Sequence, residues 1–158
     1  MSHSYSVKLL GDAGVGKTTM IQRLKTNSFE KRWLPTHGIH IHPIIFETSY
    51  GPMSLTLIDT PGQFKHNSAQ YESYDGSILM FDFTSKISYD SITYWHSKCG
   101  NEPVWLIGNK TDCKDHHVTE NTYTFPYQTT SMKKGTLQPV ICEILRTLSG
   151  HSDLTLTD

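Results

Sequence analysis

The eight residues "GDAGVGKT", Gly11 to Thr18, constrain this chain more than any other stretch. Their spacing is Gly, four residues, Gly, Lys, then Ser or Thr. Small residues at those positions let backbone N–H groups point at an anion such as a phosphate chain. The pattern has chemical meaning in one setting only, with a strand before it and a helix after it. Both are expected here. Tyr5 to Leu10 reads as a short strand, and Met20, Ile21 and Leu24 recur at helical spacing between Lys17 and Lys25.

The same alternation continues along the chain. Gly38 to Phe46 alternates Ile39, His40, Ile41 and His42, which is strand periodicity. Ser49 to Pro52 supplies turn residues, and Met53 to Asp59 is a second strand, so the pair should form an antiparallel hairpin. Ser77 to Phe83 and Val104 to Asn109 are nearly continuous apolar runs, as in parallel strands covered on both faces. Tyr89, Ile92 and Trp95 mark one face of a helix between them. Leu137, Val140, Ile141, Ile144, Leu145 and Leu148 form a last apolar stripe, stopped by Gly150. Strands alternating with helices predict an α/β fold: a mostly parallel sheet with one antiparallel hairpin strand and helices on both faces. Residues 1–150 form one domain on this reading, and residues 151–158 a short loose tail.

Length and composition fit one folded core. The chain has 158 residues, 36% of them hydrophobic and 18% charged, which favours a globule over disorder. A formal net charge of -1 gives no overall electrostatic reason to expect nucleic acid or a membrane surface as partner. Cys99, Cys113 and Cys142 lack paired spacing, so they read as free thiols filling space in a reducing compartment. The start has no apolar signal core, no run reaches the ~18 apolar residues of a membrane span, and "HSDLTLTD" holds no cysteine for prenylation. The expectation is a soluble intracellular monomer without a membrane anchor.

Ligands on such sheets bind at the C-terminal ends of the strands, and the chemistry-bearing residues fall there. Lys17 would bring positive charge to the β and γ phosphates of a nucleotide, and the Thr18 hydroxyl would ligate Mg²⁺. Asp59, closing the strand in "LIDTPG", is placed to hold a magnesium-bound water, although "DTPG" would also make a plain turn. In "GNKTD", Asp112 would accept from a guanine ring nitrogen and its exocyclic amino group. Adenine offers neither donor, and a site built for polar partners rejects analogues that lack them. Asn109 would hold neighbouring atoms, and the stem of Lys110 would lie over the base. Each motif alone permits a turn. Three in order on three strand ends make coincidence unconvincing.

With these residues in view, the chain resembles the small GTPases of the Ras superfamily, and within them the Ran family. "FEKRWLPTHGIHIHPIIFET", "MFDFTSKISYDSITYWH" and "GNKTDCKD" are similar to Ran stretches in the same order, from about Tyr5 to about Leu148. The resemblance implies a P-loop NTPase G domain that binds GTP or GDP with Mg²⁺ and hydrolyses GTP slowly. It implies nucleotide contacts from Asp12, Ala13, Gly14, Val15, Gly16, Lys17, Thr18 and Thr19. Phe29 would lean on the guanine edge. Thr36 would reach Mg²⁺ and the γ phosphate, Gly62 N–H would contact that phosphate, and Gln63 would orient the attacking water. Ser131, Met132 and Lys133 would lie beside the base. Catalysis would fall to Gln63, Lys17 and Thr36, and metal binding to Thr18, Thr36 and, through water, Asp59. Partners would be importin-class transport receptors and a Ran-type exchange factor, in nucleus and cytoplasm.

Departures from the family bear on that picture. Ala13 stands where the family has glycine, which would crowd a partner's arginine finger. Pro61 replaces alanine at the hinge of the second switch and fixes its φ. Phe64 replaces a glutamate that assists nucleotide exchange. The alternative these changes raise is a guanine-nucleotide-binding decoy or scaffold that captures Ran partners and hardly hydrolyses. A phosphate-loop kinase or ATPase is a weaker rival, opposed by "GNKTD". His37, His40 and His42 read as a solvated strand face before a zinc site. Trp95 and Trp105 read as core.

Overall fold

The computed structural model describes residues 3–26, 40–60, 74–110, 118, 127–129 and 137–157. In chain order the elements are β1 (His3–Leu10), α1 (Lys17–Thr26), β2 (His40–Thr48), β3 (Gly51–Asp59), β4 (Gly76–Asp82), α2 (Lys86–Asp90), α3 (Ile92–His96), β5 (Val104–Asn109), β6 (Tyr127–Thr129) and α4 (Gln138–Ser149). The strands form one sheet in the order β2-β3-β1-β4-β5-β6. Among these strands β2 and β3 pair antiparallel and the other pairings are parallel.

Successive strand residues point to opposite faces, so a strand that is apolar throughout serves two cores. Leu9, Ile78, Met80, Trp105 and Ile107 pack on one face with Met20 and Ile21 of α1 and with Val140, Ile141, Ile144 and Leu145 of α4. Their neighbours Leu10, Leu79, Phe81 and Leu106 pack on the other face with Ile92 and Trp95. The expected α/β architecture, with its single antiparallel hairpin and helices on both faces, is thus what the chain adopts. Trp95 and Trp105 are core residues, as expected.

Beside β6 and the run of β2 on to Thr48, neither of them read from the sequence, four features differ from the sequence reading. β1 begins at His3, two residues early, because His3 and Ser4 pair along β3 by backbone bonds that need no apolar side chain. The hairpin turn shrinks to Ser49 and Tyr50, since Gly51 already pairs with Thr48. The helix expected around Tyr89, Ile92 and Trp95 is two short helices that meet at Ser91. Most consequential, residues 151–157 are not a loose tail. Leu154 is fully buried in the α1–α4 core, and Leu156 bridges Thr48. Ser49 N–H donates to the Thr155 carbonyl, and Thr157 N–H to that of Glu47. The tail thus runs beside the end of β2, bridged to it at Thr48.

One charged residue lies inside an apolar strand. Lys8 is buried and its Nζ stands 3.5 Å from Glu102 Oε1 while donating to the Lys98 carbonyl at 3.2 Å. Ser77 Oγ donates to the same Glu102 oxygen. A buried charge needs such partners, and here they come from the turn after α3.

Candidate nucleotide site

The expected polar residues lie just after β1 and at the C-terminal ends of β3 and β5, and the structure joins them through the loop after β1. Gly11 is required there by space: a Cβ would lie 2.5 Å from the Met80 carbonyl oxygen. Gly16 turns the loop into α1 at φ 111°, a conformation side chains disfavour. Ala13 is exposed at the loop tip. Its φ is not positive, so its methyl group is tolerated by the loop itself.

Lys17 opens α1 and folds over the loop. Its Nζ donates to the Gly11 carbonyl at 2.7 Å and to the Asp12 carbonyl at 2.9 Å. Burial pushes its pKa down to about 8, with the charges of Asp59 and then Asp12 pulling the other way. Thr18, one residue on, donates from Oγ1 to Asp59 Oδ2 at 2.6 Å. A hydroxyl and a carboxylate brought together are hard oxygen donors of the kind Mg²⁺ takes, so these two residues fit that ion. Thr19 follows in the first turn of α1, half-buried.

From β5, Asn109 Nδ2 donates to the Val15 carbonyl at 2.9 Å, holding the loop from its other side. Asn109 Oδ1 accepts from Lys110 N–H at 2.7 Å, which fits the left-handed φ of 65° at Lys110. Lys110 Nζ reaches the Gly14 carbonyl at 3.2 Å. The structure therefore brings together Asp12, Gly14, Val15, Gly16, Lys17, Thr18, Asp59, Asn109 and Lys110. The expectations on Phe29, Thr36, Gly62, Gln63, Asp112, Ser131, Met132 and Lys133 lie outside the described residues.

A further residue escaped the sequence reading. Asp82 ends β4, is buried, and holds Lys110 Nζ at 2.6 Å. Its second oxygen accepts from Thr84 N–H and Oγ1. The signal was present: β3, β4 and β5 end in Asp59, Asp82 and Asn109, three polar residues closing three apolar strands.

His40 and His42 stack with ring centroids 6.4 Å apart on β2, and His42 Nδ1 lies 3.4 Å from Lys25 Nζ. Among the described residues no group of three metal-binding side chains forms.

A strand, a glycine loop over a helix N-terminus, a Thr–Asp pair and an Asn–Lys pair thus meet at the C-terminal ends of β1, β3 and β5. A family model described as the Ras family matches residues 6–136. The chain belongs to the Ras family of small GTPases. A guanine-nucleotide switch with GTPase activity, typically Mg²⁺-dependent, is what the family carries. In this GTPase, Asp82→Asn keeps the shape of the side chain and removes the charge beside Lys110. We expect GDP to leave about fivefold faster, equal to ~1 kcal/mol once the partial exposure of Lys110 is discounted. Release of a fluorescent GDP analogue measures it, and an unchanged rate would detach Asp82 from the site.

Proposed function

We propose that this GTPase is a Ran-like switch that hydrolyses GTP slowly and acts with nuclear transport receptors, in nucleus and cytoplasm. The observation that carries the reading is the ordered likeness of "FEKRWLPTHGIHIHPIIFET" and "MFDFTSKISYDSITYWH" to Ran. The second stretch includes Asp82, Ser91 and Trp95, so part of the likeness falls on residues bonded to the site.

On this reading Lys17 and the loop N–H groups from Ala13 to Thr19 take the β and γ phosphates. Thr18 and Thr36 would hold Mg²⁺, whose charge would offset that of the phosphates, and Asp59 would support it through water. Gln63 orients the attacking water, and Gly62 and Thr36 register the γ phosphate. Asp112 selects guanine, with Phe29, Ser131, Met132 and Lys133 around the ring. Hydrolysis to GDP and phosphate then proceeds by positioning, without a covalent intermediate.

Exposed Ala13 favours a second reading, a guanine-nucleotide-binding decoy that captures Ran partners and hardly turns over. Mass spectrometry of the copurifying nucleotide tests the shared ground: we expect GDP or GTP, and an ATP-filled pocket would defeat both readings. Timed conversion of bound GTP, with and without cell extract, separates them. Fast stimulated turnover excludes the decoy.

A further inference from the structure

Asp12 brings a carboxylate into a loop suited to an anion, where its charge alone would oppose binding. The structure turns that carboxylate aside. Oδ1 accepts from the Trp95 indole Nε1–H at 2.9 Å, and Oδ2 from Ser91 Oγ at 2.7 Å. Ser91 joins α2 to α3 and Trp95 lies in α3, four residues on, so both donors share one helical face. Trp95 is fully buried, and a buried indole N–H needs a partner within the protein. Its ring is fixed by the core on the α3 side of the sheet. The backbone of Asp12 meanwhile accepts from Lys17 Nζ at 2.9 Å. One residue thus links α3 to the lysine of the phosphate loop.

We infer that Ser91 and Trp95 are positioning residues for the phosphate loop, acting through the Asp12 carboxylate. They hold its charge out of the space an anion takes and fix the backbone on which Lys17 rests. The inference rests on the guanine-nucleotide reading. It assigns Trp95 a role beyond core packing, and gives Ser91 one that its place between two helices does not require.

The test is a cycle of variants read by GDP release. Trp95→Phe keeps a ring in the core and removes the N–H. It should release GDP about tenfold faster than the wild type, or ~1.4 kcal/mol. In an Asp12→Ala background the same Trp95→Phe change should alter release by less than about twofold, because no carboxylate remains to position. Asp12→Asn, uncharged but still an acceptor, should leave an intermediate effect. A Trp95→Phe effect that persists undiminished in Asp12→Ala would mean that Trp95 acts by packing alone, and would overturn the inference. So would wild-type release in Trp95→Phe. Should Trp95→Phe fail to fold, Ser91→Ala leaves the core intact and carries the same comparison, with a smaller acceleration. If the wild type holds no guanine nucleotide, the earlier reading falls by itself. Amide hydrogen exchange at Gly14 to Lys17 then decides this one: exchange quickened by Ser91→Ala supports it, and unchanged exchange refutes it.

Discussion

Lys17→Met should weaken GDP and GTP binding by about 100-fold at pH 7, the ~3 kcal/mol of a charge-assisted bond to phosphate. The geometry explains why the loss is large and why it depends on pH. Lys17 is 6% exposed and its ammonium leans on two loop carbonyls, and the charges of Asp59 and Asp12 offset only part of the cost of its burial. Burial lowers its pKa from 10.5 to about 8. Below pH 8 the lysine already carries the charge that an anion needs. Above it, binding must first take up a proton, so affinity should fall by up to about tenfold per pH unit. Stability of the nucleotide-stripped chain runs the opposite way. The unfolded lysine titrates near 10.5 and the folded one near 8, so between these values the unfolded chain binds more protons and stability rises with pH. Below pH 8 the cost of the buried charge is present in full. Titration calorimetry with GDP from pH 7 to 10, beside urea unfolding over the same range, checks both signs. In Lys17→Met both slopes should flatten. A GDP affinity level across pH 8 to 10 in the wild type would show that Lys17 does not face the phosphates.

What the sequence discloses depends on how far away each residue's partners lie. The doubly buried strands were legible because their apolar runs are local, as in "SILMFDF" and "VWLIGN". So was the loop, whose glycine and lysine spacing is a local pattern, although the space that requires Gly11 is set by the Met80 carbonyl on β4. Lys8 was not legible, because its partner Glu102 lies 94 positions later and only the sheet brings them together. The break at Ser91 was hidden for a related reason: Tyr89, Ile92 and Trp95 keep helical spacing across it. Asp82 and Trp95 stood between these cases. An acid closing an apolar strand, and a serine four residues before a buried indole, are patterns available by eye. Their meaning required knowing that Lys110 and Asp12 sit opposite them.

The tail shows the same limit in its strongest form and supports the second large prediction. "HSDLTLTD" alternates polar residues with two leucines, and nothing local says that either is buried. In the structure Leu154 has no exposed surface and packs in the core formed by α1, α4 and the sheet. Its carbonyl accepts from Arg146 Nε at 2.7 Å, which fixes the turn that returns the chain after Gly150. His151 stacks on Tyr50 at 3.9 Å, and Asp153 accepts from the Tyr50 hydroxyl. These contacts tie the end of α4 to the β2–β3 hairpin. Leu154→Ala should therefore cost about 3 kcal/mol, as for other fully buried leucines, with Tm about 10 °C lower in a domain of this size. Thr155→Ala, exposed on the same segment, should change Tm by no more than about 1 °C. The contrast separates a packed segment from an appendage: calorimetric scans in which the two variants melt together would return the tail to solvent. The site lies at the other end of the hairpin, where His40 pairs with Asp59 while Thr48 pairs with Gly51. GDP affinity measured well below Tm should accordingly be the same in Leu154→Ala as in the wild type, with stability alone reduced.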